Sequence, residues 1–138
     1  MAFLASRGEA RCTNHDIAEV LHASVHHLAK ITQRLARAGL VDSAVGPSGG
    51  FRVARPASDI RLLEIYEAID GPLGEPECLL GEPICDGGEC VLGGLVEKVS
   101  REVRSYLSET TLADLVERVA FVWEAAGDVQ DTGRRTQR

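Results

Sequence analysis

The sequence predicts a mainly α-helical chain with one small β-hairpin, and three observations support this fold class. Two short amphipathic segments with helical spacing of their apolar residues are separated by a tight turn within residues 13–39. Two segments with alternating, β-branched residues then flank the glycine-rich stretch GPSGG. A long apolar stripe with helical spacing follows in the second half of the chain. The 138 residues fit one compact domain with an appended element.

The first two predicted helices form a helix-turn-helix. Thr13 and Asp16 make a capping box that starts the first helix. Ser24 caps the second helix, which ends at Gly39. Its predicted apolar stripe is Val25, Leu28, Ile31 and Leu35. Its polar and basic stripe is His26, Lys30, Gln33, Arg34 and Arg37. These residues alone fit a plain helical hairpin with a solvated face as well as a DNA-binding unit.

The next segment favours DNA binding. LVDSAV and FRVA are predicted to be strands, and the loop between them, Gly46 to Gly50, is rich in residues that adopt positive φ. A hairpin directly after the second helix is a wing. Its tip carries no carboxylate, and Arg52 and Arg55 follow it, so it can approach a phosphate backbone or enter a minor groove.

The rest of the chain predicts three further helices around a cysteine-containing loop. One helix is capped by Ser58 or Asp59 and stops at Gly71. A long helix, roughly Cys90 to Leu107, carries an a/d-like apolar stripe that the monomer has little left to cover, which predicts a dimerisation helix. The stripe is Leu92, Leu95, Val96, Val99, Val103, Tyr106 and Leu107. A capping box at Thr111 and Asp114 opens the last helix.

We therefore predict a winged helix-turn-helix domain plus a long dimerisation helix, divided into four segments. These are a DNA-binding domain (1–71), a cysteine-rich loop (72–89), dimerisation helices (90–126) and a disordered tail (127–138). For the long helix, packing against its own domain is the alternative to dimerisation.

The charge is unevenly distributed. The net charge of −6 divides into +3 for residues 1–56, −10 for residues 57–126 and +1 for the tail. A basic front half favours an anionic partner for that half alone.

The sequence holds no apolar run long enough to span a membrane and no signal peptide, so we expect a cytoplasmic protein without a membrane partner. No phosphate-binding glycine fingerprint, nucleophile elbow or paired metal motif is present, and we do not expect an enzyme.

The order of these parts resembles the Rrf-two (Rrf2) family of bacterial winged-helix regulators. The similar text runs from about Thr13 to Leu115 and includes DIAEVL, the wing GPSGGFRVARP, the helix DIRLLEIYEAIDG, three cysteines and TTLADL. The resemblance implies a homodimer that binds a pseudo-palindromic operator in double-stranded DNA and acts as a repressor. By matching position it implies DNA contacts from Ser24, His26, His27, Lys30, Gln33 and Arg34, and from Ser48, Gly49, Gly50 and Arg52 in the wing.

Two features depart from the family pattern. Family members usually carry about a dozen more residues ahead of the stretch that matches MAFLAS, and these residues form most of their first helix. Val45 stands just before the wing glycines, where many members carry arginine. The second departure predicts weaker insertion of the wing into the minor groove.

Three of the four cysteines lie in one loop, with the spacing C-x6-C-x4-C. Cys78, Cys85 and Cys90 supply soft thiolates, which hold iron–sulfur clusters and zinc, but zinc fingers use paired C-x2-C units. The resemblance implies an iron–sulfur cluster, [2Fe-2S] or [4Fe-4S], that controls operator binding in response to redox state, nitric oxide or cluster status. A metal-free thiol switch, and less strongly a zinc site or a small electron carrier, are the alternatives.

The fourth cluster ligand is open. In one branch of the family it is a histidine at the position of Gly93, so that option is absent here. Asp86, Glu89, a partner's histidine or solvent remain. Cys12 stands apart and is expected to be a partly buried apolar residue. The four histidines lie in the helix-turn-helix and are expected to face solvent or DNA.

Overall fold

A computed structural model describes residues 1–74, 78, 85, 92 and 94–119. The named elements are α1 (Ala2–Ser6), α2 (Asn14–Leu21), α3 (Val25–Arg37), β1 (Val41–Ala44), β2 (Gly50–Val53), α4 (Leu62–Asp70) and α5 (Leu95–Glu109). Residues 112–119 are also helical and are called α6. The described part of the chain therefore has the predicted fold class, mainly helical with one hairpin. In these residues no helix is both long and apolar enough to cross a bilayer.

The predicted caps of the helix-turn-helix are present. The Thr13 hydroxyl accepts a hydrogen bond from the Asp16 backbone N–H, and the Asp16 carboxylate accepts one from the Thr13 backbone N–H at 2.7 Å. The Ser24 side chain caps α3 by accepting a bond from the His27 N–H at 3.5 Å. α3 ends at Arg37, and Gly39 follows in the left-handed conformation, with φ +70°. The chain is thereby turned from α3 directly into β1.

β1 and β2 form the predicted wing. They pair antiparallel, with Asp42 opposite Arg52 and Ala44 opposite Gly50. A third segment extends this small sheet, because Cys12 and Phe51 exchange both of their backbone hydrogen bonds, at 2.9 and 2.8 Å. The sheet thus holds the residues before α2 against the wing, and it buries Cys12 as expected.

α4 begins later than predicted. Residues Ala57–Asp59 form a short 3-10 turn, and neither Ser58 nor Asp59 caps the helix. Ile60 and Arg61 are instead extended beside residues 110–112, and the bonds that join the two segments are Leu112 N–H to Ile60 O at 2.8 Å and Leu62 N–H to Thr110 O at 3.0 Å. α4 therefore begins only at Leu62, where this extended pairing ends.

One hydrophobic core joins the wing, the helix-turn-helix and α6. Its buried members are Leu4, Cys12, Ile17, Ala18, Leu28, Leu35, Leu40, Val41, Ile60 and Leu112. Leu112 is fully buried, and Leu115 and Val116 pack against the same cluster. The start of α6 is therefore part of the core around which the winged helix is built.

α5 also begins later than predicted, at Leu95 and not near Cys90. Leu92 and Gly94 lie in turns, and Gly94 has φ +71°, a conformation that favours glycine at a helix boundary. α5 packs against α4. Cys90 and the predicted disordered tail, residues 127–138, lie outside the described residues.

Candidate nucleic-acid interface

α3 presents a polar face to solvent. His26, Lys30, Gln33 and Arg37 recur at helical spacing, so they lie on one side of the helix, and all of them are exposed. Ser24, His27 and Arg34 are exposed beside them. This face contains hydrogen-bond donors and acceptors and no carboxylate. It has the chemistry that contacts phosphates and base edges when a helix enters a major groove.

The opposite face of α3 fixes the helix to the core. Leu28 and Leu35 are buried, as predicted, but Val25 is exposed because it lies in the first turn, outside the core contact. Thr32, which was not predicted to face the core, is buried. Its hydroxyl donates to Asn14 Oδ1 at 3.1 Å or to the Leu28 carbonyl at 3.0 Å, so that it joins α3 to α2. The exposed face of α3 is therefore held at a fixed rotation.

The tip of the wing is exposed and needs its glycines. Val45, Pro47 and Ser48 are exposed, and the Gly49 N–H closes the turn on the Gly46 carbonyl at 2.9 Å. A Cβ at Gly49 would lie 2.5 Å from the backbone oxygen of Ala44. The tip therefore presents backbone and small side chains that another surface can approach closely.

Arg52 is held by two carboxylates at the base of the wing. Its Nε donates to Asp42 Oδ2 at 3.1 Å, and its Nη1 pairs with Glu9. The same Asp42 oxygen accepts a bond from Arg11 Nη2 at 2.7 Å. The Arg11 and Arg52 guanidinium groups hold the pKa of the Asp42 carboxyl below its usual range. The wing base thus contains a network of two arginines and two carboxylates with no net charge.

Two other basic side chains of the predicted surface make contacts within the chain. Arg34 Nη1 donates to the Ile69 carbonyl, where α4 ends. Arg55 pairs with Glu64, whose pKa is lowered chiefly by the Arg61 backbone N–H and further by Arg55. Arg34 therefore contributes to the packing of α3 against α4, in addition to any contact it makes outside the chain.

Two of the three clustered cysteines are described. Cys78 and Cys85 are free thiols and half-exposed, and Cys12 is free and buried. Within the described residues, no three side chains of the metal-ligating types come together. Cys90, Asp86 and Glu89 lie outside those residues. The thiols that are described have the chemistry and access of metal ligands or redox-active groups.

The start of the cysteine loop is anchored to two helices. The Leu73 N–H donates to Glu67 Oε1 of α4 at 3.2 Å, and the Leu73 carbonyl accepts a bond from Arg104 of α5. Leu73, at the start of the loop, is thus bonded to both α4 and α5.

α5 exposes an apolar stripe. Leu95 and Val99 have about half of their surface exposed, 53% and 52%. Leu92, Val103 and Tyr106 extend the stripe and are also exposed, whereas Val96 and Leu107 are half-buried. Contiguous exposed apolar residues of this kind mark an interaction surface. Two of the seven predicted positions thus face partly inward, and five remain available to a partner.

Some residues of the interface were missed by sequence reasoning. Arg11 precedes the helix-turn-helix in a segment without clear periodicity, and only the fold brings it to the wing. Asp42 lies in a predicted strand, and the sequence does not indicate its ion pairs with Arg11 and Arg52. Thr32 could have been found, since it lies four residues after Leu28 and three before Leu35, on the buried side of a helix.

Known proteins match this chain over most of its length. A family model described as Rrf2, iron-dependent transcriptional regulator, matches residues 1–118. The transcriptional regulator IscR of Xenorhabdus nematophila is 32% identical over 121 residues, which cover 87% of this chain and 72% of that protein. IscR of Vibrio atlanticus is 34% identical over 102 residues, which cover 73% of this chain and 58% of that protein.

Solved structures have the same fold. CymR, the global cysteine regulator of B. subtilis, superposes with a TM-score of 0.71 and 28% identity, covering 85% of this chain and 87% of that one. IscR of T. potens gives a TM-score of 0.66 and 28% identity, covering 86% and 78%. An oxidised form of Staphylococcus aureus CymR gives a TM-score of 0.67 and 28% identity, covering 84% and 86%.

Proposed function

Because this chain belongs to the Rrf2 family of transcriptional regulators, we propose that it acts as a cytoplasmic homodimeric repressor that binds a pseudo-palindromic operator. The observation that carries the proposal is the exposed polar face of α3 beside a glycine-tipped wing. A dimer places two such units on one duplex, and two α3 helices then enter successive major grooves.

The residues divide by chemistry. On α3, Gln33 can read adenine with two hydrogen bonds, and Lys30 neutralises a phosphate. Ser24, His26, His27, Arg34 and Arg37 donate to phosphates or base edges around them. In the wing, Ser48, Gly49 and Gly50 allow close approach to the DNA backbone, and Arg52 supplies a phosphate contact beside them.

An iron–sulfur cluster held by Cys78, Cys85 and Cys90 is the proposed sensor. The two described thiols are free and half-exposed, and thiolates are the usual ligands of such clusters, so the residues present fit this group. When bound, a cluster supplies iron that reacts with oxidants or nitric oxide. The chain's contribution is the loop, which Glu67 and Arg104 fasten to α4 and α5 at Leu73. The state of the cysteines thereby reaches the helix that carries the apolar stripe.

A metal-free thiol switch is the second candidate. Half-exposed free thiols favour it equally, and the similar S. aureus CymR has been solved in an oxidised form. A small electron carrier is the least supported alternative, because such a protein has no use for a wing.

One experiment tests the DNA-binding part of the proposal. The purified protein is used to select sites from a random-sequence double-stranded library, and binding to the selected fragment is followed by fluorescence anisotropy over a range of salt. For Lys30→Ala we expect weaker binding to all sequences and a salt slope lower by about 1 for each phosphate contact. For Gln33→Ala we expect a loss of about 1–3 kcal/mol confined to one base position.

Arg7→Ala is the matched control, since Arg7 lies near Phe3 at the end of α1, outside the proposed surface. Selection that enriches no sequence, or a Lys30→Ala variant with unchanged affinity and salt slope, would contradict the proposal.

A second experiment distinguishes the sensors. Protein purified without oxygen is analysed for iron, sulfide and zinc, beside a variant with Cys78, Cys85 and Cys90 all changed to alanine. Iron with a matching amount of sulfide, together with a visible absorption band, supports the cluster if all three are lost in the variant. Colourless protein whose DNA binding responds reversibly to oxidation supports the thiol switch.

A further inference from the structure

We propose that Arg11, which precedes the helix-turn-helix, is the residue that positions the wing and orients Arg52 for DNA. The inference rests on the proposed function, and it adds to that function a residue that lies outside the predicted DNA surface but is bonded to Gly50 of that surface.

Arg11 binds both strands of the wing. Its Nη1 donates to the Asp42 carbonyl of β1 at 3.2 Å and to the Gly50 carbonyl of β2 at 3.1 Å. Its Nη2 donates to the Asp42 carboxylate at 2.7 Å. The side chain is only 23% exposed, so these bonds are partly shielded from water. A single guanidinium group therefore joins the two strands near the point where the exposed tip begins.

The neighbouring residue reinforces this position. The backbone of Cys12 pairs with that of Phe51, and a Cβ at Gly50 would lie 2.8 Å from the Cys12 carbonyl oxygen. The segment that carries Arg11 thus lies directly against β2. Arg11 has little freedom to leave the wing.

The carboxylate of Asp42 transmits this position to Arg52. One oxygen, Oδ2, accepts bonds from both Arg11 Nη2 and Arg52 Nε. The second partner of Arg52, Glu9, is 91% exposed, and such an ion pair is weak and readily exchanged. The inner edge of the Arg52 guanidinium is therefore fixed on Asp42, while its outer edge can exchange Glu9 for a phosphate. Arg11 also neutralises Asp42, which would otherwise repel DNA.

Lysine in place of Arg11 keeps the charge but cannot reproduce these three bonds, because an ammonium lacks the planar fork. Arg11→Lys therefore separates positioning from electrostatic attraction. We expect its affinity for the selected DNA fragment to fall by about threefold to tenfold, since Arg52 is then no longer oriented through Asp42 and must be ordered on binding. Arg7→Lys is the matched control and should bind as the unaltered protein does.

A double-mutant cycle provides the readout that a merely structural role would not affect. If Arg11 acts through Arg52, then Arg11→Lys as a single substitution should weaken DNA binding. The same substitution added to Arg52→Ala should have little further effect. Urea denaturation of each variant identifies any loss of folded protein, and anisotropy is compared only at equal folded concentration.

The outcomes separate the two proposals. Unaltered protein that selects no DNA overturns the proposed function and this inference together. DNA binding that is weakened by Lys30→Ala but not by Arg11→Lys overturns the inference alone. Additive effects of the Arg11 and Arg52 substitutions also overturn it, because they show that the two residues act independently.

Discussion

Substitution of Val99 by glutamate tests the apolar stripe of α5 as a dimer interface. Val99 lies in the middle of the stripe, between Leu95 and Val103, and 52% of its surface is exposed in the single chain. α5 extends from Leu95 to Glu109, so the stripe follows most of a 15-residue helix. A partner helix that covers Val99 would bury this exposed half.

The expected magnitude follows from that exposure. Complete burial of a valine side chain contributes about 1.5–3 kcal/mol, so burial of half of it contributes about 1 kcal/mol. Two copies in a symmetric dimer contribute about 2 kcal/mol, which equals about a 30-fold change in the dissociation constant. A buried carboxylate without a partner adds its own desolvation cost. Val99→Glu should therefore raise the dissociation constant of the dimer by at least about 30-fold.

Sedimentation equilibrium over a range of protein concentrations measures this constant. Arg101→Gln is the matched control, because it changes the net charge by the same amount and lies about 200° around the helix from Val99. Operator binding of Val99→Glu should weaken in parallel, since the proposed dimer contacts two half-sites. A Val99→Glu variant with an unchanged dissociation constant, or unaltered protein that stays monomeric, would refute the reasoning.

Three further predictions concern stability, which is measured by urea denaturation. Gly50→Ala places a side chain on a backbone with φ +133°, 2.8 Å from the Cys12 oxygen, and should lower the free energy of unfolding by about 1–3 kcal/mol. Leu112→Ala removes a fully buried side chain that joins α6 to the core and should lower the same quantity by about 2–5 kcal/mol. Asp42 has a lowered pKa in the folded protein, so its contribution is complete above the carboxyl's ordinary pKa and is lost as the pH falls through the folded value. Asp42→Asn should therefore reduce the loss of stability on acidification below about pH 5.

The first two predictions have control variants. Gly74→Ala should be tolerated because, apart from its chain neighbours, no atom of the described residues lies within 4 Å of the added Cβ. Val45→Ala, at the exposed wing tip, should change stability by less than about 0.5 kcal/mol. A Leu112→Ala variant as stable as Val45→Ala would show that α6 does not belong to the core. If the stability of Asp42→Asn depends on pH as that of the unaltered protein does, then the ion pairs of Asp42 do not stabilise the wing.

The sequence predicted the structure correctly where residues close together in the chain determine the backbone conformation. The boxes at Thr13 and Thr111, the cap at Ser24 and the stop after α3 depend on residues within four positions, and each is present. The wing strands were likewise predictable, since alternation and the glycines between them fix a hairpin. Periodicity also predicted a polar outer face for α3 and an apolar stripe on α5.

Contacts between distant segments were decided only by the tertiary structure. α4 begins at Leu62 because residues 60–62 pair with residues 110–112, and no local signal records that pairing. Arg11 lies 31 positions from Asp42 and 39 from Gly50, yet it binds both. The helix-turn-helix, the wing and the residue types available for DNA and thiol chemistry can be read from the sequence, because backbone propensity and side-chain periodicity act over a few residues. Only the fold decided which charges meet at the wing base, because those contacts depend on how the core brings separate segments together.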